Sequence, residues 1–394
     1  MKLAFVLFKY FPYGGLERDF LRIAKICQSR GHEIFVYSFI WEGDLPEGFN
    51  LTLIPVKGIS NHQRISNFSN KFSQLLINKD VLNKEERFDL VVGFNKMKDL
   101  DLYYAADPCY EAKVREQHGK LYRLGKRYKV FQSMEESVFA QDKNVELLFI
   151  SDIQMENFKT IYHTPAERFH SLPPGVDRSR IRPDNADEIR SRVRDSLSLK
   201  KNDKLLLMIG TGYKRKGVDR AIEALASLPE PLRSKTYLLV AGEDKLKKYK
   251  AQAKKLGIEN QVHLPGARDD VPQLLLASDL FMHPARHENT GTVLLEGIAA
   301  GIPQVISGVC GYAFHIEKAQ AGKLLSEPFQ QTEYNNVLLD MLTSEHWQQW
   351  QDNALHYMRN SDIFSMPDKV SDIIEGTGKQ RAVANIYKMV ELVD

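Results

Sequence analysis

Leu205-Leu206-Leu207-Met208-Ile209 runs directly into Gly210-Thr211-Gly212-Tyr213-Lys214-Arg215-Lys216-Gly217-Val218-Asp219. The first five residues are apolar without alternation. Such a run suits a parallel strand covered on both faces rather than an edge with one wet side. The glycine-spaced turn that follows carries Arg215 and Lys216 at the carboxyl end of that strand. In open parallel sheets ligands bind at that end. A strand of this kind followed by a turn and a helix predicts a doubly wound α/β fold.

The pattern repeats outward in both directions. Expected strands in the first half are 3–8, 33–39, 51–56, 88–94 and 146–151, and in the second half 205–210, 236–241, 261–264, 279–283 and 303–307. Amphipathic helical stretches separate them. Leu172-Pro173-Pro174-Gly175-Val176-Asp177 is a turn cluster, and the charged stretch from Arg178 to Lys204 precedes a fresh strand. The domain boundary therefore falls near residues 173–205 and is drawn after 175. A chain of 394 residues is long enough for two such units. In such a pair, ligands are expected in the cleft between the domains.

A net charge of +3 is too small to imply a nucleic-acid partner for the whole chain, so a basic site has to be local. Cys27, Cys109 and Cys310 are far apart, with no metal-ligand spacing, which fits reduced thiols in a cytosolic protein. The opening run Leu3-Ala4-Phe5-Val6-Leu7-Phe8 is too short for a signal peptide and ends at Lys9, so it reads as a buried strand. No later run approaches the ~20 apolar residues of a membrane span.

Three loops carry candidate chemistry. Phe11-Pro12-Tyr13-Gly14-Gly15-Leu16-Glu17-Arg18-Asp19 follows the first strand and opens a helix whose apolar face is Leu16, Phe20, Ile23 and Cys27. Paired glycines at a helix start let backbone N–H groups approach a phosphate. A tight turn needing positive φ at glycine explains them equally well. The absence of a GxGxxG pattern argues against a dehydrogenase. In the second loop, Arg215 and Lys216 have the charge to neutralise a diphosphate leaving group. The third is Arg286-His287-Glu288-Asn289-Thr290-Gly291-Thr292-Val293-Leu294-Leu295-Glu296-Gly297. Here Gly291, Thr292 and Val293 start a helix whose free N–H groups suit a phosphate, and Glu296 lies one turn deeper, where a carboxylate can accept from ribose hydroxyls. Two glutamates eight residues apart are by themselves a common surface pattern.

Together with Lys9-Tyr10-Phe11-Pro12-Tyr13-Gly14-Gly15-Leu16, Trp41-Glu42-Gly43-Asp44, Gly93-Phe94-Asn95-Lys96-Met97, Ala106-Asp107-Pro108-Cys109-Tyr110 and Val309-Cys310-Gly311-Tyr312, these loops resemble the retaining glycosyltransferases of family 4 over essentially the whole chain. The likeness is greatest to the branch that glucosylates the lipopolysaccharide core. It implies the GT-B fold, two Rossmann-like domains facing across a cleft. Residues 1–175 would bind acceptor, 176–375 nucleotide sugar, and a last helix within 376–394 (residues 379–392) would return to the first domain. It implies transfer of glucose from UDP-glucose to a heptose of the lipopolysaccharide inner core, with no metal or other cofactor. Alternatives are another nucleotide sugar, an exopolysaccharide-lipid acceptor, or a nucleotide-sugar-binding protein without turnover.

The same resemblance gives residue roles. Glu288 would contact the donor sugar and Glu296 the ribose. Arg215 and Lys216 would bind the diphosphate, Gly14 and Gly15 would form the N-terminal phosphate loop, and Thr292 and Val293 would offer N–H groups. Asp107 stands where many members place a histidine near the reaction centre. Asp19 lies near donor or acceptor hydroxyls, although an acid in a first helical turn is favourable through the dipole alone. Arg268 is placed for the base, or else is paired with Asp269 or Asp270. Asp99-Leu100-Asp101 matches the DxD metal motif of other glycosyltransferases only superficially and reads as a turn.

Residues 112–132 are strongly basic: Lys113, Arg115, Lys120, Arg123, Lys126, Arg127 and Lys129 are opposed within that window by Glu116 alone. Read as one helix, Leu121, Leu124, Tyr128 and Phe131 share a face. Such a segment suits docking on an anionic membrane surface, or an ordinary helix packed on the core. With the lipid acceptor that the resemblance implies, the expected location is cytoplasmic, peripheral on the cytoplasmic face of the inner membrane, with no nucleic acid as partner.

Overall fold

The computed structural model describes residues 1–12, 14–82 and 87–391; Tyr13 of the glycine loop and residue 392 lie outside them. The chain divides into two compact units, Met1–Gly175 with Ser365–Asp394, and Val176–Phe364.

The first unit contains β1 (Lys2–Val6), β2 (Lys9–Tyr10), β3 (Glu33–Ser38), β4 (Ile40–Trp41), β5 (Phe49–Leu53), β6 (Leu90–Gly93), β7 (Leu102–Ala105), β8 (Glu146–Phe149) and β9 (Phe169–Ser171). Seven of these form a parallel sheet in the order β5-β3-β1-β6-β7-β8-β9, while β2 and β4 pair separately. Alternation explains why Leu3–Val6 of β1 are all apolar. Leu3 and Phe5 meet Phe20, Ile23 and Cys27 of helix Gly15–Ser29 on one face. Ala4 and Val6 meet Phe68, Phe72 and Val138 on the other. Each such aromatic or branched side chain gains roughly 1.5–3 kcal/mol on leaving water.

The second unit contains β10 (Lys204–Ile209), β11 (Thr236–Ala241), β12 (Val262–Gly266), β13 (Leu280–His283), β14 (Gln304–Ser307) and β15 (Gly322–Leu325). Their order is β12-β11-β10-β13-β14-β15, all parallel. Leu205 and Leu207 pack toward one core and Leu206 and Met208 toward the other. The strand that decided the fold is thus buried on both faces. Sequence order reverses direction between β10 and β13, a topological switch point of the kind where crevices open.

Three expectations change. The last helix spans Met366–Glu391 rather than 379–392, and the return to the first unit begins at Ser365 instead of 376. Pro367 suits the first turn of a helix, and Met366, Val370 and Ile374 recur at helical spacing on the first unit's core. Arg30–Asp372, His32–Glu375 and Arg381–Asp101 pairs fasten it. Strands β2, β4, β7, β9 and β15 were not expected from sequence; all have four residues or fewer. The basic window is not one helix. Extended Gly119 and Gly125 break it into helix Tyr110–Gln117, a 3₁₀ turn at Lys120–Leu124, and helix Lys126–Phe139.

Candidate active site

In the second unit, the loops after β10 and β13 are stitched together. Gly212 and Gly217 bracket the short helix Tyr213–Lys216, both with positive φ. A Cβ on Gly217 would stand 2.0 Å from the Pro284 carbonyl oxygen, so only glycine permits this approach. Arg286 locks the contact. Its guanidinium pairs with both oxygens of Asp219 at 2.8 Å, and its N–H donates to the Arg215 carbonyl at 2.8 Å. Burial pushes the Asp219 carboxyl up, but the Arg286 bonds outweigh it and hold the group below its ordinary range.

This stitching places Glu288 against Lys216 and Arg215. The Lys216 ammonium, Arg215 at 3.0 Å and His283 Nε2 at 3.3 Å all reach the same oxygen, Oε2. Among the described residues Oε1 accepts no hydrogen bond. Burial raises the Glu288 pKa, but the His283 bond and the Lys216 and Arg215 charges overcome it and the carboxyl ends far below its usual range. Burial lowers the Lys216 pKa, with Glu288 opposing. A carboxylate of this kind is ionised, fixed by one oxygen and open at the other.

Helix Thr292–Ala300 begins next, capped by Gly291 at φ +83°. The first-turn N–H groups of Thr292 and Val293 have no carbonyl one turn back in their own helix, so they suit an anion. Glu296 is on the same helical face as Thr292, buried, with Arg180 Nε 3.8 Å from Oε1. The loop after β14 closes over this segment: Gly311 leaves no room for a Cβ against the Asn289 carbonyl, and Glu288 bridges Cys310. Arg268 stands apart from this cluster as an exposed fork on Asp270, with its Nε 2.7 Å from Oδ1.

The first unit holds the remaining candidates. Neither Gly14 (φ −77°) nor Gly15 needs positive φ, so the turn explanation does not apply. A Cβ at Gly14 would instead overlap the Glu17 carboxylate and oblige that side chain to move. Glu17 is buried, and burial raises its pKa, aided by Asp107 and Asp19. Asp19 accepts from Tyr104 Oη at 2.8 Å and Arg22 at 2.6 Å, and burial pushes its carboxyl up. Asp107 is exposed in the turn before helix Tyr110–Gln117. That turn is held from beneath by Glu135, fully buried, which accepts from Lys96 at 2.5 Å and from the N–H groups of Tyr110 and Glu111 at 2.8 and 2.9 Å. Asp99-Leu100-Asp101 is a structural turn: Asp99 has φ +59°, and Asp101 accepts from Val91 N–H and pairs with Arg381.

The basic segment differs from its expected chemistry. Glu111, just outside the window, pairs with Arg115 at 2.9 Å and Arg123 at 3.1 Å. Tyr128 is buried and donates to Glu111, whereas Leu121 and Leu124 are 81% and 70% exposed. Lys113, Lys120, Lys126, Arg127 and Lys129 are exposed.

Sequence reasoning passed over His283, Glu17, Arg180 and the Arg286–Asp219 clamp. His283 had a signal, being the one ionisable residue in Leu280-Phe281-Met282-His283, at the carboxyl end of an apolar strand. The clamp had none, since its partners are far apart in sequence.

Comparison with known proteins gives a consistent picture. The model of the family described as "Glycosyl transferases group 1" matches residues 189–357. The lipopolysaccharide glucosyltransferase WaaG of Escherichia coli K12 is 45% identical over 377 residues, 95% of this chain and 99% of that protein. The crystal structure of WaaG superposes with a TM-score of 0.88, covering 95% of this chain and all of that one. Anabaena Alr3699/HepE, solved with UDP and glucose, shares the fold at 19% identity, with a TM-score of 0.73 and 95% of this chain covered.

Proposed function

Given that the chain belongs to the glycosyl transferases group 1 family, we propose that it transfers glucose from UDP-glucose to an inner-core heptose of lipopolysaccharide. It is a retaining hexosyltransferase of GT-B fold. Glucose as the sugar and lipopolysaccharide as the acceptor follow the E. coli lipopolysaccharide glucosyltransferase, to which the chain is 45% identical along nearly its whole length; UDP as the carrier and a heptose as the accepting residue are part of the proposal.

The observation that carries the chemistry is the one-sided anchoring of Glu288, beside two cations and a helix start. In the proposed reaction the Arg215 and Lys216 cations and the N–H groups at Thr292 and Val293 take up charge developing on the diphosphate as the sugar–oxygen bond lengthens. No metal is needed for that charge. The acceptor hydroxyl attacks from the face UDP leaves, and the departing phosphate oxygen takes its proton. Glu288 positions the sugar through Oε1 rather than forming a covalent adduct. A carboxylate with strongly depressed basicity, one oxygen already accepting from three donors, is a poor nucleophile. Glu296 accepts from the ribose. A panel of UDP- and GDP-sugars, each with heptosylated core acceptor and without it, tests the reading. Acceptor-dependent UDP release restricted to UDP-glucose supports it. Another preferred donor, or a glycosyl adduct trapped on Glu288, refutes it.

The enzyme is further proposed to work on the cytoplasmic face of the inner membrane. Support comes from Leu121 and Leu124 projecting beside Lys120, Lys126, Arg127 and Lys129. No described helix is long and apolar enough to cross a membrane. Each cation near an anionic surface contributes about 1 kcal/mol. Replacing these four by serine should lower partition onto anionic vesicles by roughly a thousandfold, and unchanged partition would remove the docking surface.

A further inference from the structure

We propose that His283 is a positioning residue for Glu288: as a fully enclosed Nε2–H donor it anchors one carboxylate oxygen so that the other is presented to the donor sugar. The inference rests on the reading of Glu288 as the group that faces that sugar.

The geometry carries it. His283 ends β13 at the switch point and is fully buried. Its Nε2 lies 3.3 Å from Glu288 Oε2, and its ring lies nearly parallel to Phe281, with centroids 6.0 Å apart. An ionised carboxylate only accepts, so Nε2 must carry the proton in this contact. The other ring nitrogen, Nδ1, is buried with no partner among the described residues. A second proton there would be an enclosed donor with nothing to accept it, beside the Lys216 and Arg215 cations. The imidazole is therefore held neutral, and burial drives its pKa down to about 4, the nearby Lys216 charge adding to the effect.

This donor does what the cations alone cannot. Lys216 and Arg215 also have a diphosphate to bind, so in the loaded enzyme their hold on Glu288 is shared. The histidine has no other hydrogen-bond partner among the described residues, and its ring sits at the end of the strand against Phe281. It keeps Oε2 turned inward, and hence Oε1 outward, throughout turnover. Loss of such an anchor should act on kcat more than on donor affinity, because misplacement of a reacting-centre group by about 1 Å costs on the order of a hundredfold.

Two measurements decide the matter. The first needs no substrate: nitrogen NMR of histidine-labelled protein, with the His283 signal assigned by its loss in His283→Gln. A neutral Nε2–H tautomer at pH 7 that shifts on Glu288→Gln is expected. An Nδ1–H tautomer or an imidazolium overturns the proposal. The second compares His283→Phe, which keeps the ring volume, with His283→Gln, whose amide N–H reaches the Nε2 position. His283→Phe should lower kcat ten- to a hundredfold with KM for UDP-glucose within about threefold, and His283→Gln should recover most of it. Equal loss in both variants, or a kcat within twofold of wild type in His283→Phe, overturns it. Should His283→Phe fail to fold, His283→Asn, too short to reach, takes its place with the same outcomes. A wild-type enzyme inert toward UDP-glucose would sink the functional reading instead, and the NMR result would then decide the proposal alone.

Discussion

Gly217→Ala should disable the enzyme through geometry alone. Gly217 has φ +75°, and a Cβ there would lie 2.0 Å from the backbone oxygen of Pro284. Carbon–oxygen contacts in proteins settle near ~3.3 Å. The loops after β10 and β13 must therefore separate by about 1.3 Å to admit the methyl group. Those loops carry Lys216 and Glu288 respectively, and a shift of ~1 Å at a reacting centre costs roughly a hundredfold in rate. The left-handed backbone adds about 1–2 kcal/mol of strain once a Cβ is present. Gly257→Ala is the matched control. Gly257 has φ +69° with open space around its Cβ position, and it follows helix Lys247–Lys255, outside the Lys216–Glu288 contact. It should show the same strain in a thermal melt and leave UDP-release kinetics unchanged. Gly217→Ala should show at least that destabilisation together with a kcat lower by about a hundredfold. Equal kcat in the two variants would refute the claim that this glycine sets the Lys216–Glu288 distance.

Glu296→Ala should raise KM for the donor ten- to a hundredfold while kcat falls less, since hydrogen bonds to a charged group contribute about 1.5–3 kcal/mol; an unchanged KM in initial-rate assays would remove Glu296 from the ribose site. The pH–rate profile should be asymmetric. Glu288 must be ionised and its pKa is depressed, so it imposes no acid limb near its ordinary value; Lys216 must be charged and burial lowers its pKa from 10.5, so activity should fall on the alkaline side below that point, and Lys216→Arg should push the limb upward. Glu135→Ala removes the buried acceptor of Lys96, Tyr162 and two backbone N–H groups, and should cost about 3–5 kcal/mol in chemical denaturation. A loss under 1 kcal/mol would show that the turn carrying Asp107 is held in another way.

Much of this was legible because parallel strands announce themselves. Leu205–Ile209 is apolar at every position since both faces are covered, and the polar loops after such strands are where ligands bind. The same logic pointed to the loops that carry Arg215, Lys216, Glu288 and the helix start at Thr292. What the sequence hid was pairing across distance. The acid that tames the basic segment is Glu111, and it does not read as special in a chain with balanced charge. Glu111 removes Arg115 and Arg123 from the free cations, so the exposed charge is smaller than the count of basic residues implied. The break in that segment was visible, however. Two glycines six residues apart are poor helix residues, and their extended backbones are what turn Leu121 and Leu124 outward while Tyr128 turns in.

The glycine loop teaches the opposite lesson. A glycine pair after a first strand reads as backbone freedom, yet Gly14 has an ordinary φ and leaves its Cβ position to the Glu17 carboxylate. That carboxylate is buried close enough to Asp107 and Asp19 for their charges to raise its pKa. Any side chain at position 14 would displace it. The loop is therefore built around an acid, and that local charge would oppose an anion unless Glu17 were neutral or compensated. Arg18 and Arg22 supply positive charge on the same helix turns, Arg22 already committed to Asp19 and the Gly175 carbonyl. The charge around Gly14, rather than glycine flexibility, is what a ligand at this loop would meet.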